Sequence, residues 1–148
     1  MMVIKSWEIH DPEIWDITDV NDTSYAAFVY LIIFPDGDYY LGMKQIYKGI
    51  KDINDLKTTS KEADWMKYYS SSKTVQARIE EGEDYNKYIL WCFPTTNQAA
   101  LIEAMLIGTV GMKCNCLNKA IMTKSRLPKP GERAGLFKTF QYLYERLS

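Results

Sequence analysis

The stretch FVYLIIFPDGDYYLG, residues 28–42, decides the fold. Phe28–Phe34 is β-branched and aromatic, Pro35-Asp36-Gly37 supplies turn chemistry, and Tyr39–Met43 resumes the strand, so the segment predicts a β-hairpin. Loop parity then sets which side chains share a face. A two- or four-residue loop pairs Ile33 with Tyr40 and sends Tyr30 to the opposite face. An odd loop, such as Pro35 to Gly37, pairs Ile32 with Tyr40 and holds the two tyrosine rings together. If Tyr30 and Tyr40 serve one site, the loop must be odd or a bulge must intervene. A tyrosine in a sheet usually packs, but this chain has a single histidine, His10, to offer for chemistry.

Outward from the hairpin, Lys44 to about Lys61 is a polar, lysine-studded connection. ADWMKYY predicts a short helix with Trp65 and Tyr69 on one face. Ser70-Ser71-Ser72 offers an N-cap to KTVQARIEE, where Val75 and Ile79 stand four apart and Gly82 gives a stop. NKYILWCF reads as a third, buried strand. Thr95-x-x-Gln98 is a capping-box pattern opening a helix from Asn97 to about Gly108. RLPKPGER breaks the chain before a last amphipathic helix ending FKTFQYLYERL. The order β-β-α-α-β-α-α predicts an α+β fold, a small three-stranded antiparallel sheet flanked by helices. Residues 1–24 form an acidic N-terminal extension that packs through Trp7 and Trp15. Residues 25–120 form the central domain, and residues 121–148 a basic C-terminal extension with a helix.

At 148 residues the chain is long enough for one real core, and 47% hydrophobic with 25% charged residues is globular composition rather than disorder. The opening MMVIKSWEIHDPEIWD turns acidic before an apolar run develops, so no secretory signal is expected. AAFVYLIIF is too short to span a bilayer, and no membrane partner is expected. Cys92, Cys114 and Cys116 make no framework of pairs, which places the chain in a reducing cytoplasm. Cys114-Asn115-Cys116 reads as a buried thiol pair in a loop rather than half of a zinc site. The net charge of −1 conceals polarity: residues 1–40 carry eight acidic side chains and one Lys, residues 111–148 eight basic and two acidic. Such a chain can bind an anion with its basic end, or its two ends can neutralise each other in the fold.

Glu103 is the only charged residue between Asn97 and Met112. On a helix its neighbours at −4, −3, +3 and +4 are Ala99, Ala100, Leu106 and Ile107, all apolar. A carboxylate there reaches water at the core edge, finds a partner, or anchors a hard cation such as Mg²⁺ whose remaining positions go to water and phosphate.

Phe28-Val29-Tyr30, Tyr40-Leu41-Gly42, the serine-capped helix, the third strand, Glu103 and Asn118 in CLNKA occur in the order of the GIY-YIG nucleases. DWMKYYSSSKTVQARIEEGEDYNKYIL, residues 64–90, resembles a segment of small phage-encoded, homing-type members, and the resemblance runs from about Ala27 to Asn118. It implies a GIY-YIG-like domain that hydrolyses phosphodiester bonds in DNA with one divalent metal, Mg²⁺ or Mn²⁺. In that scheme Glu103 is the metal ligand, Tyr30 and Tyr40 flank the attacking water, and Asn118 completes the catalytic set. A free tyrosine has a pKa of about 10, so a general-base role requires a neighbouring cation. The resemblance also implies a basic side chain that shares the phosphate charge. No Arg occurs in MKQIYKGIKDINDLK, so Lys44 or Lys51 takes that part, Lys44 being preferred, with Arg78 a third candidate. Lys124, Arg126 and Lys129, in the basic region after Asn118, are expected to hold the DNA backbone. A phage-encoded member would work in the host cytoplasm.

Two other readings belong to different classes. One is a catalytically weakened GIY-YIG-like module that binds DNA or a protein. The other is an accessory protein acting through its acidic first forty residues.

Overall fold

In the computed structural model, residues 3–122 and 124–148 are described. Strands β1 (Glu8–Ile9), β2 (Ala27–Ile33), β3 (Tyr39–Gln45) and β4 (Asn86–Phe93) form one sheet in the order β1-β4-β2-β3. Helices α1 (Lys73–Glu80), α2 (Thr96–Ile107) and α3 (Pro130–Leu147) complete the α+β architecture. The expected three-stranded antiparallel sheet needs correcting, because β1 adds a fourth strand, parallel to β4. Two residues, one of them a charged Glu8, carry no strand periodicity in the sequence. β1 is set by its pairing with β4 and by His10 N–H donating to the Ile89 carbonyl at 3.1 Å.

The hairpin loop is odd. Phe34 N–H donates to the Asp38 carbonyl at 2.9 Å, leaving Pro35-Asp36-Gly37 as the loop, with Gly37 at φ +94°. Only a glycine takes that left-handed position without strain. Ile32 therefore faces Tyr40 and Tyr30 faces Gly42. On the other side of β2 the register slips between Val29 and Tyr30, a bulge that leaves Leu90 of β4 unmatched opposite Tyr30.

β2 is buried along nearly its whole length, as suits a central strand covered on both faces. Phe28, Tyr30 and Ile32 join Trp7, Trp65, Val75 and Ile79 beneath α1 and the irregular chain before it. Ala27, Val29 and Leu31 pack on the other face against Ala99, Ile102 and Leu106 of α2 and Phe140 and Leu143 of α3. Ser72 Oγ accepts from Val75 N–H at the start of α1, and Thr95 Oγ1 accepts from Gln98 N–H at the start of α2. α3 begins at Pro130, earlier than the aromatic run suggests, because proline is pre-set for the first helical turn. ADWMKYY forms only the 3-10 turn Trp65–Lys67, which buries Trp65. Cys114 is exposed and Cys116 half-buried rather than jointly buried. No described helix is long and apolar enough to cross a membrane.

The edge of β3 is not left bare. Tyr39 N–H donates to the Asn115 carbonyl (3.0 Å), and Leu117 N–H donates to the Tyr39 carbonyl (2.7 Å). The Asn118 amide extends this cover by bonding both backbone groups of Leu41, accepting at 2.9 Å and donating at 2.8 Å. Over residues 39–41 this cover takes up the edge groups that another chain could otherwise pair with.

Candidate active site

Tyr30, Tyr40 and Glu103 line one pocket of about 220 Å³ that wraps the edge of β3. Tyr30 and Tyr40 reach it from the α1 side of the sheet, Met43 and Glu103 from the α2 side. Gly42, Ser71 and Asn118 complete the polar and backbone lining. The tyrosine ring centroids are 6.3 Å apart, as the odd loop requires.

The two tyrosines differ in environment. Tyr30 is 1% exposed, and its ring packs against Trp7 (5.3 Å) and Tyr68 (6.0 Å). It also lies across Gly42: a Cβ there would stand 2.8 Å from Tyr30 Cε2 and closer still to the phenol carbon and oxygen. Burial pushes the Tyr30 hydroxyl well above the usual tyrosine range, and the Ser70 side chain pulls weakly the other way by hydrogen bonding. Tyr40 is only partly buried; burial raises its pKa first, hydrogen bonding to Ser71 opposes this, and the Glu103 charge adds to the rise. Both phenols therefore keep their protons at neutral pH.

Glu103 is 7% exposed and projects from α2 toward Tyr40, close enough for its charge to act on that hydroxyl. Among the described residues no three His, Cys, Asp or Glu side chains cluster as a protein-only metal cage.

The serine run does more than cap α1. Ser70 is buried at φ +97°, a conformation costing about 1–3 kcal/mol for a non-glycine residue. Gln76 Nε2 donates to its carbonyl at 2.8 Å, and its Oγ accepts from Ser72 N–H at 2.9 Å. This locked turn presents Ser70 and Ser71 to the tyrosine hydroxyls. Their part is not among the sequence-based expectations; its one signal is a run of three serines where a cap uses one.

The basic candidates separate. Lys44 Nζ lies 2.7 Å from Asp64 Oδ1 and 4.4 Å from the centre of the Tyr68 ring, which packs on Tyr30. Arg78 bonds Asp36, Asp38 and Glu83 at 2.8–2.9 Å and stacks on Phe34 at 3.9 Å, so it clamps the hairpin loop to α1. Lys51 does not line the tyrosine pocket. It shares an open groove of about 1300 Å³ with Lys124, Arg126 and Lys129, and that groove meets the tyrosine pocket at Met43. The Lys51 carbonyl accepts from Thr96 N–H at 2.8 Å, and Arg126 N–H donates to Asn97 Oδ1 at 2.7 Å, so both cations are tied to the start of α2. Asn118 lines the tyrosine pocket while its amide is spent on Leu41.

A hairpin tyrosine pair brought against a buried helical carboxylate at the edge of a small sheet is the arrangement of a GIY-YIG-type domain. Residues 7–125 match the family model described as "Putative endonuclease segE, GIY-YIG domain", and the chain belongs to that family. The chain is also similar to Intron-associated endonuclease 2 of Enterobacteria phage T4, with 34% identity over 98 residues, 65% of this chain. That match spans only 33% of the phage protein's length. No solved structure gives a significant match.

Proposed function

We propose that the chain is a DNA endonuclease that hydrolyses phosphodiester bonds at the Tyr30–Tyr40–Glu103 pocket with one divalent cation, Mg²⁺ or Mn²⁺. The observation that carries this is the convergence of β2, β3 and α2 on one pocket, with a buried carboxylate opposite two phenols. One carboxylate suits Mg²⁺, which takes one or two from protein and fills its octahedron with water and phosphate oxygens. A pocket of about 220 Å³ also has room for several waters, each needing about 30 Å³. Glu103 would hold the ion, and the ion would supply Lewis-acid polarisation of the phosphate and a more acidic water.

The remaining work falls to this chain's own groups. Tyr40, partly exposed and protonated, orients the attacking water through its hydroxyl. Tyr30 is walled in and holds Tyr40 and Gly42 in register. Ser70 and Ser71 fix the hydroxyl directions, which matters because misplacement by about 1 Å can cost two orders of magnitude in rate. Lys44 supports Tyr68, and through it Tyr30. Asn118 keeps the β3 edge, and with it Tyr40, in place. Lys51, Lys124, Arg126 and Lys129 hold the DNA backbone along the adjoining groove, since binding phosphate needs only cations within reach.

Incubating the purified protein with supercoiled plasmid tests this. Nicked or linear product with Mg²⁺, and none with a chelator, is expected. DNA binding without cleavage under any divalent cation would leave a binding module instead.

A further inference from the structure

We propose that Lys73, at the start of α1, is the side chain that neutralises charge on the reacting phosphate, an inference that rests on the nuclease reading above. Attack by water adds negative charge to the phosphate oxygens, and a preorganised cation near them is worth far more in a partly enclosed site than in water. Most cations around the tyrosine pocket are already engaged or stand apart from it. Lys44 is ion-paired with Asp64. Arg78 is surrounded by three carboxylates. Lys87 is 1% exposed, and its ammonium donates to the Tyr68 carbonyl at 2.7 Å and the Met66 carbonyl at 3.3 Å. Lys51 stands beyond Met43 in the long groove.

Lys73 and Lys119 remain. Both are exposed, and among the described residues neither forms an ion pair. Both line a depression of about 210 Å³ together with Tyr40 and Asn118. Tyr40, Asn118, Ala120 and Met122 are also walls of the pocket that holds Glu103, so the two cavities adjoin at the Tyr40 ring. A phosphate beside the Tyr40 hydroxyl would thus have the Glu103 pocket on one side and the depression lined by Lys73 on the other. Their backbones differ. Lys73 stands on a helix fixed by the Ser72 cap, by buried Val75 and Ile79, and by the Arg78 clamp. Lys119 lies in irregular chain just past Asn118. A group that must meet a developing charge works best from a rigid element, which favours Lys73. Water oxygen bonds to phosphorus as the bond to the departing sugar oxygen breaks; the water proton passes to solvent, and the sugar oxygen takes one from solvent. Lys73 stays charged throughout.

The test is single-turnover cleavage of duplex DNA with Mg²⁺ and saturating protein, beside Kd measured with a chelator. Lys73→Ala should lower the rate by about 10²–10³-fold, the scale for removing one transition-state donor, with Kd changed less than about threefold. Lys73→Arg should recover most of that rate, and Lys119→Ala should cost at least about tenfold less than Lys73→Ala. An undiminished Lys73→Ala rate, a loss cured by more protein, or a loss carried by Lys119→Ala would each overturn the assignment alone. A wild-type protein that cleaves nothing would overturn it together with the nuclease reading.

Discussion

Replacing Gly42 by Ala should be costly out of proportion to one methyl group. The added Cβ would stand 2.8 Å from Tyr30 Cε2 and closer to the phenol carbon and oxygen. The ring has little freedom to yield, since Tyr30 is 1% exposed and hemmed by Trp7, Phe28, Tyr40 and Tyr68 at centroid separations of 5.3–6.3 Å. Overpacking costs about 1–3 kcal/mol, and an overlap this deep belongs at the upper end. The smaller unfolded-chain entropy of the alanine variant offsets about 0.4–1 kcal/mol of that. The net expectation is destabilisation by about 2 kcal/mol, a fall in Tm of roughly 4–8 °C for a chain of this size. In a Tyr30→Leu background the ring is gone, and Gly42→Ala should then be close to neutral. A double-mutant cycle by denaturant unfolding should therefore give a coupling of about 2 kcal/mol. Equal costs in both backgrounds would refute the idea that Gly42 exists to admit the Tyr30 ring.

Reversing charge at Lys124, Arg126 and Lys129 should weaken DNA binding and flatten its salt dependence. The log–log slope should fall by about 0.9 for each duplex phosphate no longer neutralised, read by titration at several salt concentrations. Arg78→Met should destabilise the protein at pH 7 and less so in acid. Hydrogen bonding to Arg78 holds the Glu83 carboxyl below its ordinary value, so this stabilisation is complete above the unfolded carboxylate pKa and disappears as pH falls through the folded one. The Tm gap between wild type and Arg78→Met should begin to close below about pH 5 and narrow further as the pH falls, and a constant gap would contradict the clamp.

The hairpin, β4 and the two capped helices are legible in the sequence because each has a local cause: strand composition, a turn glycine, a hydroxyl at the cap. The loop parity follows only from requiring Tyr30 and Tyr40 at one site. Glu103 stands out because a charge among alanines and leucines breaks the helical pattern, and it is indeed buried. What escapes a sequence reading depends on distant segments meeting. β1 has no pattern of its own. Lys87 sits in an apolar strand, and its burial depends on two carbonyls of the Trp65–Tyr68 turn, which no spacing reveals. The loop carboxylates that occupy Arg78 lie some forty residues away in the chain. Lys51 and Lys124 belong to separate features of the sequence, and only the start of α2 draws them to one groove. Lys73 has the pattern of an ordinary helix-surface residue, because only the fold brings Tyr40 beside it.

Cleavage by Glu103→Gln is the most direct measurement of the central claim. The substitution keeps the side chain's size and removes the charge that would hold a divalent cation. Wild-type protein with Mg²⁺ should nick plasmid DNA. Glu103→Gln, shown folded by circular dichroism and still binding DNA, should leave the plasmid supercoiled over the same hours. Cleavage surviving in Glu103→Gln at the wild-type rate would contradict the account.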